Sequence, residues 1–123
     1  LWCDASNLGW GAVLINNNTQ QVQIVANKWT AAEAKMHINC LEARALFYAL
    51  SMFEDIKGAT VFPMIDNTSV VATTSKGYSK SEGLNNEIHS INEVVKKRRI
   101  DMRKPTYVKS ANNLADPWSR NFG

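Results

Sequence analysis

The chain has 123 residues, 45% of them hydrophobic, a net charge of +3 and two cysteines, which excludes a disordered tail and a disulfide-stapled miniprotein and leaves one domain, residues 1–123, with one core. Cys3 and Cys40 lack metal-finger spacing, and no apolar run nears the roughly 20 residues that span a bilayer, so a soluble protein with reduced thiols and no membrane partner is expected. The isoelectric point of 9.0 tilts mildly towards a polyanionic partner.

Leu1 to Asp4 reads as a short strand, Ala5 to Gly9 as a turn, and Trp10 to Ile15 as a buried second strand. The start at Leu1, without an initiator Met, suggests a piece of a longer protein. Asn16 to Gln20 is a polar hairpin turn into a third strand, Val22 to Asn27, completing an antiparallel meander. Thr30 to His37 fits either a short helix or a loop. Leu41 to Leu50, rich in Ala, Leu and Arg and free of Gly and Pro, is the strongest helix signal, with Gly58 as its left-handed stop. Thr60 to Ile65 is a fourth strand, with Pro63 marking a side that lacks a partner. A short helix runs from about Thr68 to a stop at Lys76-Gly77. Ser79 to Glu82 has capping-box spacing, and Leu84, Ile88, Ile91 and Val95 keep the helical period of an amphipathic helix that ends in Lys96-Lys97-Arg98-Arg99. Tyr107-Val108 is a last strand and Asn112 to Asn121 a terminal helix. The sum is an α/β domain with a mixed sheet.

Glu42 is the anomaly in this scheme. At about 100° per residue it falls in line with Leu46, Ala49 and Phe53, roughly 160° from the polar side formed by Arg44, Ser51 and Asp55, and so points inward. A buried carboxylate costs several kcal/mol unless neutralised. Asp4, Asp66 and Asp116 each stand at the end of an apolar run or the start of a helical one, where chains emerge at a sheet edge. Acids meeting at one point repel, and divalent cations relieve that repulsion, so a metal site is expected.

The order Asp4-Ala5-Ser6 with Gly9-Trp10-Gly11-Ala12, then Ile38-Asn39-Cys40-Leu41-Glu42, then Asp66-Asn67-Thr68, then Asn112-Asn113-Leu114-Ala115-Asp116-Pro117-Trp118-Ser119-Arg120, resembles the ribonuclease H domain of retrotransposon reverse transcriptases. Within that family the last motif looks most like gypsy-type and tyrosine-recombinase elements. The resemblance implies a ribonuclease H-like fold: a five-stranded mixed sheet, three antiparallel strands then two parallel additions, flanked by helices. It implies that Asp4, Glu42, Asp66 and Asp116 bind two Mg2+ ions, with Mn2+ able to substitute, and that the domain hydrolyses the RNA strand of an RNA/DNA hybrid. It further implies covalent linkage to a polymerase domain and an intracellular setting, cytoplasmic, nuclear or within a retroelement particle. Substrate contacts implied are Asn39 in the minor groove and Ser6 and Asn7 at phosphate; Lys96, Lys97, Arg98, Arg99, Arg103 and Lys104 would hold the backbone.

Two departures from the family pattern stand out. The loop Lys109-Ser110-Ala111 lacks the His that other members carry before the last Asp, and Ser75 to Ser81 is too short for a basic handle helix. Taken singly, Asp116 before Pro117 is the mark of a helix cap, Asp66 before Asn67-Thr68 invites the same reading, and Asp4 fits a turn; Glu42 fits none of these. Trp10, Trp29 and Trp118 are expected to pack, His37 and His89 to lie at the surface, and the Lys96 to Arg99 run fits a solvated helix end equally well. Two rivals share the fold: a catalytically silent module that binds nucleic acid or protein, and a transposase- or resolvase-type nuclease that cuts DNA.

Overall fold

The computed structural model describes residues 1–120. Strands β1 (Trp2–Ala5), β2 (Gly9–Ile15) and β3 (Val22–Lys28) form the expected antiparallel meander. Helix α1 (Ile38–Met52) follows, then β4 (Thr60–Val61), β5 (Met64–Ile65), α2 (Thr68–Lys76), α3 (Glu82–Lys97), β6 (Asp101–Met102) and β7 (Thr106–Tyr107). The main sheet has the order β3-β2-β1-β5-β7, with β5 parallel to β1 and β7 parallel to β5. This is the five-stranded mixed sheet expected, three antiparallel strands and two parallel additions. Among the described residues no helix is long and apolar enough to cross a membrane.

The expected strand Thr60–Ile65 is split in two. Pro63 has no N–H to give a ladder, so β4 peels off to pair with β6 in a separate two-stranded sheet. The Pro63 carbonyl is still used, accepting from Thr106 N at 2.9 Å. The expected terminal helix is also replaced, by two 3₁₀ turns at Ser110–Asn112 and Asp116–Ser119; its last residue, Asn121, lies outside the described residues. Asn113 explains the break: its side chain accepts from Ala115 N and donates to Cys3 O, both at 2.9 Å, a local bonding pattern that competes with helix.

Helix ends differ from expectation in detail. His37 caps α1, its Nδ1 accepting from Asn39 N at 3.1 Å. The helix stops at Met52, and a 3₁₀ turn (Glu54–Ile56) intervenes before Gly58, whose φ of +70° is left-handed as expected. Ser81, rather than Ser79, caps α3.

α1 packs against β1 and β2 on one side and α3 on the other, with Leu41, Ala45, Leu46, Ala49 and Leu50 wholly buried. Trp10 stacks on Tyr48 with ring centroids 5.4 Å apart. The Arg44 side of α1, read from sequence as its polar side, therefore also faces protein. Arg44 Nε donates to Glu87 Oε1 of α3 at 2.6 Å, and its Nη1 lies 3.3 Å from Glu33 Oε2. Glu33 and Thr30 exchange bonds, Thr30 N to Glu33 Oε1 and Glu33 N to Thr30 Oγ1. That reciprocal pair defines the Thr30–His37 segment as a turn with a short 3₁₀ piece, Glu33–Lys35.

Candidate active site

β1 and β5 run parallel in the register Trp2 to Met64 and Cys3 to Ile65. One step further along each chain stand Asp4 and Asp66, so the ladder itself places these carboxylates side by side at the carboxyl ends of two adjacent strands. Asp4 pairs with Gly11 of β2, so both face the same side of the sheet, and the turn Asp116–Ser119 lies over that side. A Cβ on Gly11 would stand 2.5 Å from Trp118 Cβ and 2.7 Å from Trp118 C. Only a glycine lets the turn come this close. Asp116 opens the turn, and one carboxylate oxygen from each of Asp4, Asp66 and Asp116 lies within 4.8 Å of the others. Such a cluster can hold a metal ion. Glu42, from the second turn of α1, lines the same cleft without belonging to that tightest group.

Burial and mutual repulsion dominate the electrostatics. Desolvation, then the negative charges of Asp66 and Asp116, push Asp4 up to about 7, although Ser119 Oγ donates to its Oδ2 at 2.8 Å. Desolvation, then Asp4 and Asp66, push Glu42 up to about 9, with Ala5 backbone opposing. Glu42 is 6% exposed, and its Oε2 is buried with no hydrogen-bond partner among the described residues. An orphaned buried carboxyl oxygen beside three clustered aspartates is the donor set of a hard divalent cation, all oxygen and all from carboxyl groups. The residues present fit such ions. A cleft of similar volume at the other end of the sheet, by Leu14, Asp55 and Phe62, has one carboxylate in its lining, so size does not mark the site.

The remaining expected contacts divide into two groups. Ser6 and Asn7 line the acid cleft. Asn7 is exposed there, whereas Ser6 Oγ is occupied, donating to Ser119 O at 2.6 Å and accepting from Leu8 N and Gly9 N. Asn39 sits one turn before Glu42 and accepts from Asn67 Nδ2 at 2.8 Å, tying α1 to the cap of α2 beside Asp66. The basic run lies elsewhere. Arg98 donates to the carbonyls of Leu50 and Phe53 at 2.6 and 2.9 Å, satisfying the C-terminal end of α1, some 15 Å along that helix from Glu42. Its side chain is 9% exposed and is thus engaged within the fold, whereas Lys96, Lys97 and Arg99 are exposed.

Three residues in contact with the acids had no role assigned from sequence. Ser110 donates to Asp66 Oδ2 at 2.9 Å from the loop that lacks the His; Ser119 donates to Asp4; Arg120 Nη1 lies 3.1 Å from Asp116 Oδ1. Ser119 and Arg120 were visible as part of a motif, but nothing in their spacing says which acid each touches.

Comparison with known proteins bears on the family and the fold. Residues 1–89 match the model of the RNase H-like domain found in reverse transcriptase. Asp4, Glu42 and Asp66 fall inside the match and Asp116 beyond it. No curated protein matches the sequence. Among solved structures, the N-terminal RNase H domain of a Mycobacterium tuberculosis protein, studied as a fusion with maltose-binding protein, is similar at 20% identity and a TM-score of 0.74, over 95% of this chain and 92% of that one. RNase H1 of the halophilic archaeon Halobacterium salinarum NRC-1 is similar at 18% identity and a TM-score of 0.74, over 94% and 88%. At these identities the likeness is one of fold.

Proposed function

Because this chain belongs to the RNase H-like domains found in reverse transcriptases, we propose that it is a metal-dependent endonuclease that hydrolyses the RNA strand of RNA/DNA hybrids during reverse transcription. The observation that carries this reading is the meeting of Asp4, Asp66 and Asp116 at the strand ends, with the orphaned Glu42 oxygen in the same cleft. We place the parent enzyme in a retrotransposon, gypsy-type or tyrosine-recombinase, on the strength of the motif from Asn112 to Arg120, and take the domain to be joined to a polymerase.

Asp4, Glu42, Asp66 and Asp116 would hold two Mg2+ ions, or Mn2+ in their place. Bound there, the pair supplies a water of lowered pKa for in-line attack and charge neutralisation at the departing 3′ oxygen. The chain does the positioning. Asp4 is fixed by Ser119, Asp66 by Ser110, and Asp116 by the turn that Gly11 admits. Asn7, exposed in the cleft, would meet a phosphate, and Asn39, braced by Asn67 one turn before Glu42, would meet a minor-groove 2′-hydroxyl. No protein nucleophile is required. In the loop before Asp116 a hydroxyl rather than an imidazole faces the acids, so proton transfer falls to solvent and slower turnover is expected. Lys96, Lys97 and Arg99, beyond the far end of α1, would reach only backbone phosphate further along the duplex.

The test is cleavage of labelled hybrid, duplex RNA and duplex DNA side by side with Mg2+. Hybrid alone should be cut. Asp66→Asn removes a ligand while keeping size and the Ser110 bond, and should lower turnover by at least about 100-fold with unchanged far-UV circular dichroism. An Asp66→Asn protein of full activity refutes the assignment, and cleavage of duplex DNA in preference to hybrid points to a transposase-type nuclease instead.

A further inference from the structure

We propose that Arg120 is a substrate-positioning residue with two stations: it holds Asp116 in the metal-free protein, and it turns to a backbone phosphate of the hybrid when dications take that carboxylate. This deepens the nuclease reading and rests on it.

Among the residues lining the acid cleft Arg120 is the cation. It faces Asp116 directly and the charges of Asp4 and Asp66 at longer range. Its backbone is fixed. Ser119, immediately before it, is fully buried and bonded to Asp4 and to the Asp116 carbonyl, while Ser6 Oγ donates to the Ser119 carbonyl and Arg120 N donates to Pro117 O. Its side chain is less constrained: it is 57% exposed and, among the described residues, bonds to Asp116 Oδ1 and, at 3.4 Å, to Asp116 O. A guanidinium on a rigid shoulder can exchange partners without moving the fold.

Charge decides which partner it has. Three carboxylates with no counterion attract Arg120, and a guanidinium bridging one of them relieves part of their repulsion. A dication on the same carboxylate both competes for its oxygen and repels the guanidinium. A phosphate diester arriving at the cleft then offers the anionic, fork-matched acceptor that arginine suits best, with five donors in a plane. Arg120 therefore opposes metal binding in the free protein and favours substrate binding in the loaded one.

These opposite signs make the test. With the whole chain, Mg2+ is titrated against melting temperature without nucleic acid, and affinity for a fluorescent RNA/DNA hybrid is read by anisotropy with Ca2+ in place of Mg2+ to slow turnover. In Arg120→Gln the metal-free melting temperature should fall, the Mg2+ half-saturation point should drop about two- to fivefold, and the hybrid Kd should rise about tenfold, the scale of one charge-assisted hydrogen bond. Arg120→Lys, which keeps the charge and loses the fork, should lie between, and it decides the matter if the Gln variant does not fold. Weaker Mg2+ binding together with an unchanged hybrid Kd would make Arg120 a structural brace and overturn the proposal. If the wild-type chain responds to metal and hybrid and either variant binds hybrid as the wild type does, this proposal alone fails. A wild-type chain indifferent to both removes the nuclease reading and this one with it.

Discussion

Glu42 and Asp4 are the residues whose chemistry is furthest from ordinary. Their carboxyls are pushed to about 9 and about 7, from reference values of 4.5 and 3.8, by burial first and neighbouring acids second. In the window between the reference and shifted values the folded protein holds protons that the unfolded chain has already released. Stability contributed by these groups is thus complete below the reference values and is lost as pH rises through about 7 and then about 9. The metal-free melting temperature should accordingly fall between about pH 5 and 9. Added Mg2+ should raise it more at the alkaline end, where the acids are ionised and proton competition is least. Calorimetry at several pH values with EDTA or Mg2+ checks both; a metal-free profile that climbs across that window would mean the two carboxyls are not held as the structure places them.

The turn Asp116–Ser119 is the element on which the cleft depends. Among the described residues it is held by point contacts: Ser119 to Asp4, Ser6 to Ser119, Asn113 to Cys3, and Trp118 against Gly11. A methyl group at Gly11 meets Trp118 backbone, which cannot swing aside as a side-chain tip would. Gly11→Ala should therefore destabilise the protein by about 1–3 kcal/mol, the range for overpacking. It should also lower hybrid cleavage at least tenfold, since displacements near 1 Å cost catalysis about that much or more. Denaturant unfolding and single-turnover cleavage separate the two effects. A variant of normal stability and normal rate would show that the turn need not sit against β2. The ion-paired group of half-buried Arg44 with buried Glu33 and Glu87 plays a comparable part on the opposite flank, joining the Thr30–Met36 turn, α1 and α3.

Across the whole molecule, α1 separates two charge regions. The acids gather near its beginning, and Arg98 pins the basic run to its end. A hybrid long enough to span both would have its scissile phosphate at the acids and more distant phosphates near Lys96, Lys97 and Arg99. Replacing these three by Gln should flatten the salt dependence of hybrid binding, by up to about one unit of log–log slope per residue, and leave turnover at saturating substrate within about twofold. Filter binding at graded KCl measures the slope. If it is unchanged, the run is a solvated helix end and substrate lies across another face.

The sequence alone determined the meander, the long central helix and the inward turn of Glu42, each from local pattern: period-2 or period-3.6 hydrophobicity, Gly and Pro positions, and one carboxylate on an apolar stripe. The two parallel additions and the grouping of Asp4, Asp66 and Asp116 with Glu42 were expected from the family resemblance of the motifs. Thr30 and Glu33 also have the three-residue spacing of a cap, in a segment that has no helical period to follow it. Tertiary structure decided what depends on partners distant along the chain. It split Thr60–Ile65, because Pro63 denies the main sheet a donor and β6 was available to β4. It dissolved the terminal helix, because Asn113 found Cys3. It set Arg44, from the polar side of α1, against Glu87 of α3, and it gave Ser110, Ser119 and Arg120 an acid apiece. Which hydroxyl or guanidinium meets which carboxylate follows from strand register and from the close approach at Gly11, and neither is written in the spacing of residues along the chain.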